Sequence, residues 1–429
     1  MRYFFLFSGL TLASLASVVQ KQFHGAPSYS KLIVPREAYV SWGYFAHKRI
    51  NRLAVFTLPA AMTPLYKTNI EFLTAHAIDP DNRRFVNPNE GFHHYIDLDK
   101  YDYYPTDWID ALAQYTAIYL VTDKNDTLAL TGHLTVKKYK RDYYFKSKTI
   151  KKLFGRDSIV VADSFYRKFI YNNILKNYYK PDWIVPADSL KNLFRKERLN
   201  LNGIKSAFAK DEITPFGVLP YHLYQMQKNL TEAFIQKDQH KILKLSAEIG
   251  HYLADAHVPL HTTLNYDGQL THQEGIHAFW ESRIPQLFAD EHYDFWVGKA
   301  NYIDSTRVFF WKVVRESHRL VEPTLQMEKE ARQLFPSNQR FSADVKTGTG
   351  GKAQSAEYAK LYQDKLNGMV EKRMRDAILA VGSVWYTAWV DAGQPDLKNL
   401  EARPIINQKP DTLADFSDSL KSIMIGRHE

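Results

Sequence analysis

The sequence predicts a helix-rich protein, and three observations carry that expectation. Ile242 to His257 places apolar residues at helical intervals with no proline before Pro259, which should end the helix. From Pro220 to Phe234 the pattern is helical again, with Pro220 suited to a first turn. The C-terminal third reads as long helices, Tyr293 to about Val321 and Ala356 to about Val390, separated by the flexible Thr347-Gly-Thr-Gly-Gly-Lys loop.

In chain order, Met1 to Ala16 is a basic residue followed by an apolar run ending in small residues, the pattern of a secretory signal cleaved after Ala16; a retained anchor is the second reading. Residues 17–41 carry Pro27 and Pro35 and read as a leader or linker. Trp42-Gly-Tyr-Phe-Ala-His47 follows, with Ile50, Leu53 and Ala54 at helical spacing, so His47 falls near a first turn. Ile70 to Ala77 reads as a helix giving way to Asp79-Pro-Asp, and His93-His94-Tyr-Ile-Asp97 as a loop. Trp311, Trp385 and Trp389 lie on apolar faces and belong to the core. No internal repeat or nucleotide-binding glycine loop is present.

A chain of 429 residues can bury a large core, in one big domain or two. The net charge of +9 favours polyanionic partners, nucleic acid or an anionic lipid surface, although plain solubility explains it equally well. There is no cysteine. Disulfide frameworks and thiolate zinc sites are therefore excluded, and any metal must be held by imidazole, carboxylate, water or backbone oxygen.

Candidate ligands concentrate in His251-Tyr-Leu-Ala-Asp-Ala-His-Val-Pro-Leu-His261 and in His277-Ala-Phe-Trp-Glu281. His251 and Asp255 are four residues apart, as are His277 and Glu281, which on a helix puts each pair on one face. One such pair is most often structural. Two pairs with His261 between them form a metal-ligand constellation.

Together with His94-Tyr-Ile-Asp97 and Trp42-Gly-x3-His47, these segments resemble the superfamily of zinc-dependent phospholipases C and three-zinc single-strand nucleases, over about Trp42 to Glu281 in motif order. The resemblance implies an all-α, single multi-helix domain over 42–395, with 101–214 as a long insertion and 396–429 as a tail. It also implies a zinc-dependent hydrolase that attacks phosphodiesters in line with zinc-bound hydroxide. By the same resemblance Asp79, His94, His251 and Asp255 hold a first zinc, and His261, His277 and Glu281 a second. Asp255, His47 and the backbone nitrogen and oxygen of Trp42 hold a third. Asp79 is preferred to Asp81, and His94 to His93, with Asp79 also orienting the attacking water or taking its proton.

Two features depart from the family. Trp42 lies beyond the expected cleavage site, so its nitrogen is a free amine only if the chain is processed again after Ser41. Glu281 and the short His261 to His277 connection lean toward phospholipase C, while the Trp42 to His47 spacing leans toward the nucleases. The substrate stays open between phospholipid and single-stranded nucleic acid.

In the insertion, Lys137 to Arg156 interleaves cations with aromatics. It fits a single-strand binding surface or an anionic membrane contact, while the default reading is a solvated face with its aromatics packed inward. His133 and His222 receive no site role, and Asp267 reads as a turn residue that could orient a ligand histidine. The functional expectation is an exported, periplasmic or extracellular, zinc phosphodiesterase. The alternative is a zinc-holding binding protein without turnover.

Overall fold

The computed structural model describes residues 44–84, 87, 89–132, 135–175, 183–197, 201–343 and 352–400. Trp42, the signal and leader segments 1–41, the glycine loop at 347–351 and the tail beyond Leu400 lie outside the described residues.

The helical body is built around Gln239–Asp255, buried over most of its length from Ile242 onward. Asp238 caps it, its carboxylate accepting from Lys241 N at 3.0 Å. Against it lie Leu219–Gln236, Met369–Asp391 and Tyr44–Ala54. Polar clamps fix the register: Trp385 Nε1 donates to Ser246 O at 3.0 Å, and the Tyr66 hydroxyl meets Ser246 Oγ at 2.8 Å. Close approach needs glycine at position 250, because a Cβ on Gly250 would lie 2.0 Å from Asn51 Oδ1. Asn51 Nδ2 meanwhile donates to Ala247 O at 2.9 Å. The helix carrying His47 is thereby pinned beside the one carrying His251.

Several helix boundaries differ from the expectation. The span from Tyr293 is non-helical until Thr306, where the helices Thr306–His318 and then Val321–Leu334 begin. Asp294 and the Arg375 guanidinium capture the main chain there: Asp294 Oδ1 accepts from Trp296 N, and Arg375 Nη2 donates to Trp296 O at 2.9 Å. The Ala356 helix stops at Lys365, and a new one starts at Met369 after Asn367 and Gly368, both at positive φ. Pro220 does sit in the first turn of Leu219–Gln236.

The all-α expectation is wrong. Helix dominates at about 60%, but strand makes up 11%, in three small antiparallel sheets. Among the described residues, seven of nine strands lie in the stretch expected as an insertion: β1 Thr116–Thr122, β2 Thr127–Ala129, β3 Val136–Tyr139, β4 Asp142–Phe145, β5 Ile159–Ala162, β6 Trp183–Ile184 and β7 Ile204–Asp211. The remaining pair, β8 Phe341–Ala343 and β9 Lys352–Gln354, flanks the glycine loop. One sheet runs β2-β1-β7-β6 and another β3-β4-β5. Thr116-Ala-Ile-Tyr-Leu-Val-Thr is rich in β-branched and aromatic residues, which suit a pleated surface. The two-residue Lys140-Arg141 turn between β3 and β4 puts Lys140 at φ 54°, as tight hairpins require of a central residue.

A single apolar cluster runs from Ala46 to Leu397 and takes in both the helical body and the insertion's strands. Trp311 and Trp385 are fully buried within it. Among the described residues no helix is long and apolar enough to cross a membrane.

Candidate metal centre

His251 and Asp255 lie one turn apart at the end of their helix, both buried, with His251 Nε2 3.3 Å from Asp255 Oδ2. After Asp255 the chain breaks, and Pro259 opens a short 3-10 turn that carries His261. That turn is laced to the segment after His94: Ile96 N donates to His261 O at 2.9 Å, and Leu98 N to Thr262 O at 3.0 Å. His94 is thus delivered by main-chain pairing.

His277 lies on the turn Ile276–Ala278 and Glu281 on the π-helical turn Phe279–Arg283. The widening has a local cause in Pro285, which has no N–H for the Glu281 carbonyl and crowds it in a regular helix. His277 Nε2 remains 2.8 Å from Glu281 Oε2. From the first helix, His47 stacks on His251 with centroids 4.1 Å apart, its Nε2 3.2 Å from Glu281 Oε1 and 3.4 Å from Asp255 Oδ1.

Four overlapping triads result, each with its ligand atoms within 4.8 Å of one another: His94, His251, Asp255; His261, His277, Glu281; His47, Asp255, Glu281; and His47, Asp81, His251. These buried clusters could hold metal ions. Ligand atoms about 2.0–2.1 Å from a tetrahedral ion stand about 3.3 Å from one another. The spacings here fit: His94 Nδ1 is 3.1 Å from His251 Nε2 and 3.0 Å from Asp255 Oδ2, and His261 Nε2 is 3.3 Å from Glu281 Oε2.

Ring orientation adds to the fit. His251 Nδ1 donates to Ala77 O at 2.8 Å, His261 Nδ1 to His94 O at 2.8 Å, and His277 Nδ1 to Tyr266 O at 3.2 Å, so each Nε2 faces the cluster. His94 is reversed. Its Nδ1 faces the cluster, and its buried Nε2 has no hydrogen-bond partner. The Glu90 carboxylate lies 3.9 Å from that nitrogen and is itself held by the Tyr252 hydroxyl and Arg83 Nε.

The electrostatics follow from burying two carboxylates among imidazoles. Burial disfavours a charged His251, but Asp255 and then Asp81 outweigh it and raise its pKa from 6.5 to about 9. Burial likewise pushes Asp255 and Glu281 up, yet the histidines around each hold both well below the usual carboxylate range. Burial lowers His94. Without metal, His251 is therefore held as an imidazolium against Asp255, and a cation would displace its proton.

The structure brings together His47, His94, His251, Asp255, His261, His277 and Glu281, while Trp42 lies outside the described residues. Asp79 belongs to none of the four groups, and its Oδ2 lies 2.6 Å from His76 Nδ1. The carboxylate at the cluster is Asp81, 3.6 Å from His251 Nε2 and 3.8 Å from His94 Nδ1. The two aspartates share the short helix Asp79–Arg83, where residues two apart are about 200° apart around the axis and point oppositely. Asp81 is also the most exposed of the cluster's carboxylates, with 21% of its side chain accessible, which marks the edge open to solvent.

His93 stacks flat on His222, centroids 3.9 Å apart, behind His94. Asp267 braces the turn: its Oδ1 accepts from Gly275 N at 3.0 Å and His277 N at 3.4 Å. Sequence reasoning weighed Asp81 and set it behind Asp79, and it missed Glu90; no local pattern distinguishes either. The chain matches no protein-family model and no curated protein.

Proposed function

We propose that the chain is an exported zinc-dependent phosphodiester hydrolase. The observation that carries this reading is the convergence of five imidazoles and three carboxylates from separate segments on one nest, at spacings that suit adjacent cations. The motif resemblance supports the reaction class, and the absence of cysteine favours hydrolytic over structural zinc. The apolar run at residues 3–7 and the small residues around Ala16 support export.

His94, His251, Asp255 and Asp81 would hold one ion, His261, His277 and Glu281 a second, and His47 with Asp255 and Glu281 a third. Bound there, such ions supply charge neutralisation for the diester anion and acidify water near neutral pH. The chain's own residues do the rest. Asp255 and Glu281 each serve two triads and so fix the separation between positions. The carbonyls of Ala77, His94 and Tyr266 hold three rings in the tautomer that faces inward. Asp81, at the solvent edge with a second carboxylate oxygen, is placed to orient a water and take its proton.

The test combines metal analysis of purified protein, N-terminal sequencing, and hydrolysis of bis(p-nitrophenyl) phosphate, phosphatidylcholine and single-stranded DNA and RNA, each with a chelator control. Chelator-sensitive hydrolysis of any of these supports the reading. A fully zinc-loaded protein that cleaves none of them is a zinc-holding protein without turnover, and the proposal fails.

A further inference from the structure

The chain's positive charge is concentrated. Residues 136–156 carry nine Lys or Arg and a single carboxylate, a net +8 of the chain's +9. Most of this stretch is the β3-β4 hairpin and the helix Lys148–Phe154 that comes after it. The inward-packed reading of its aromatics holds for Tyr143, Phe145 and Phe154 but not for Tyr139 and Tyr144. Strand alternation turns Tyr143 and Phe145 into the core, fully buried, and leaves Tyr139 and Tyr144 61% and 37% exposed on the opposite face.

These two rings are diagonal neighbours on that outer face, since Tyr139 pairs with Asp142 and Tyr144 with Lys137 across the hairpin. Their centroids lie 6.3 Å apart at 70°. Lys137 thus flanks Tyr144, and the Lys140 ammonium lies 5.4 Å from the Tyr139 ring centre. Elsewhere on the hairpin Lys138 is neutralised, held between Asp110 and Asp163 at 2.8 and 2.9 Å. Lys137, Lys140, Arg141 and Lys146 have no carboxylate within ion-pair distance among the described residues. Unpaired cations beside two open rings are the parts from which single-strand binding surfaces are built.

We propose that the outer face of the β3-β4-β5 sheet is a docking surface for single-stranded nucleic acid, with Tyr139 and Tyr144 stacking bases and Lys137, Lys140, Arg141 and Lys146 meeting phosphates. Charge complementarity calls for a polyanion. The choice of polynucleotide over anionic membrane rests on shape. The rings stand on the flat of a sheet, where bases can stack, as sheet-based single-strand binders arrange them. A membrane-seated surface needs a contiguous apolar patch, and Val160 is the exposed aliphatic residue paired across from Tyr144. The inference gives the phosphodiesterase reading a substrate class, and depends on that reading only for the cleavage of a strand once bound.

The test is fluorescence anisotropy of a phosphorothioate-linked oligothymidylate of 20 nucleotides, which resists cleavage, with zinc-loaded protein at several salt concentrations. Wild type is expected to bind with affinity that falls steeply with salt. Tyr139→Ala with Tyr144→Ala should weaken binding at least tenfold with a nearly unchanged salt slope. Lys137→Glu with Lys140→Glu should weaken it and flatten that slope by about one per lost phosphate contact. Lys299→Glu, on the non-helical segment far along the chain, controls for net charge and should leave the affinity within twofold. Thermal midpoints report whether each variant folds.

No oligonucleotide binding at low salt overturns the inference, as does binding that both double variants retain. Binding to vesicles of phosphatidylcholine with 30% phosphatidylglycerol, without oligonucleotide binding, overturns it in favour of a membrane surface. Hydrolysis of bis(p-nitrophenyl) phosphate by the wild type reports separately on the phosphodiesterase reading.

Discussion

Removing the charge of Asp255 should abolish a specific pH dependence of the metal-free protein. Asp255 Oδ2 lies 3.0 Å from His94 Nδ1 and 3.3 Å from His251 Nε2, and Oδ1 lies 3.4 Å from His47 Nε2. Its charge is the largest influence raising His251, whose pKa moves from 6.5 to about 9 against the opposing effect of burial. A histidine with a raised folded-state pKa contributes stability that is whole below the unfolded value and is lost as pH climbs through the folded one. For His251 that contribution is about 3 kcal/mol at pH 5, little smaller at pH 7, and nearly gone at pH 9. The metal-free wild type should therefore lose about 2 kcal/mol between pH 7 and 9, a fall of about 2 to 3 °C in melting temperature for a chain this size. Asp255→Asn keeps the shape and removes the charge, so the variant should begin less stable at pH 7 and lose little more by pH 9. Zinc-loaded wild type should not show the loss either, because metal displaces the proton. Thermal and urea unfolding at pH 5, 7 and 9, in chelator and in zinc, measure all three. Equal slopes for wild type and Asp255→Asn in chelator would refute the account of His251 as an imidazolium held by Asp255.

Asp81→Asn should weaken zinc binding and diester hydrolysis more than Asp79→Asn, measured by chelator competition and initial rates; the reverse ranking would return the ligand role to Asp79. Glu90→Gln should lower zinc affinity about 10- to 100-fold by removing the carboxylate beside the unpartnered His94 nitrogen. Unchanged affinity in the competition assay means that Glu90 does not orient that ring. Gly250→Ala drives a methyl group into Asn51, 2.0 Å away, and should cost about 1–3 kcal/mol in urea unfolding. Wild-type stability in that variant would show that the helix contact relaxes freely.

What the sequence disclosed and what it hid divide along a physical line. His251 with Asp255, and His277 with Glu281, are visible because helical periodicity is local and four residues return a side chain to the same face. The choice between Asp79 and Asp81 is not local. It depends on which way a five-residue helix is rotated against its neighbours, and His76, which claims Asp79, carries no distinguishing pattern. The insertion's strands were hidden for a related reason. Val136-Lys-Lys-Tyr and Asp142-Tyr-Tyr-Phe are short, and their inner and outer faces both carry aromatics, so alternation of polarity is blurred. The segment from Tyr293 reads as helix because its apolar residues recur at helical intervals, while Asp294 and Arg375, 81 residues apart, capture its main chain out of helix.

The cluster's geometry is inseparable from the fold that carries it. Three of the imidazoles take their orientation from backbone carbonyls, and one of those carbonyls belongs to His94, itself in the cluster. The pairing of Ile96 with His261 and Leu98 with Thr262 holds two ligand-bearing segments in register without any metal. Asn51 and Gly250 do the same for the helices of His47 and His251. An ion entering this site therefore meets donors already spaced for it and has to displace protons rather than order the chain. Zinc binding should accordingly be strongly pH-dependent while changing the backbone little, which sets this centre apart from small zinc domains whose folding is the binding.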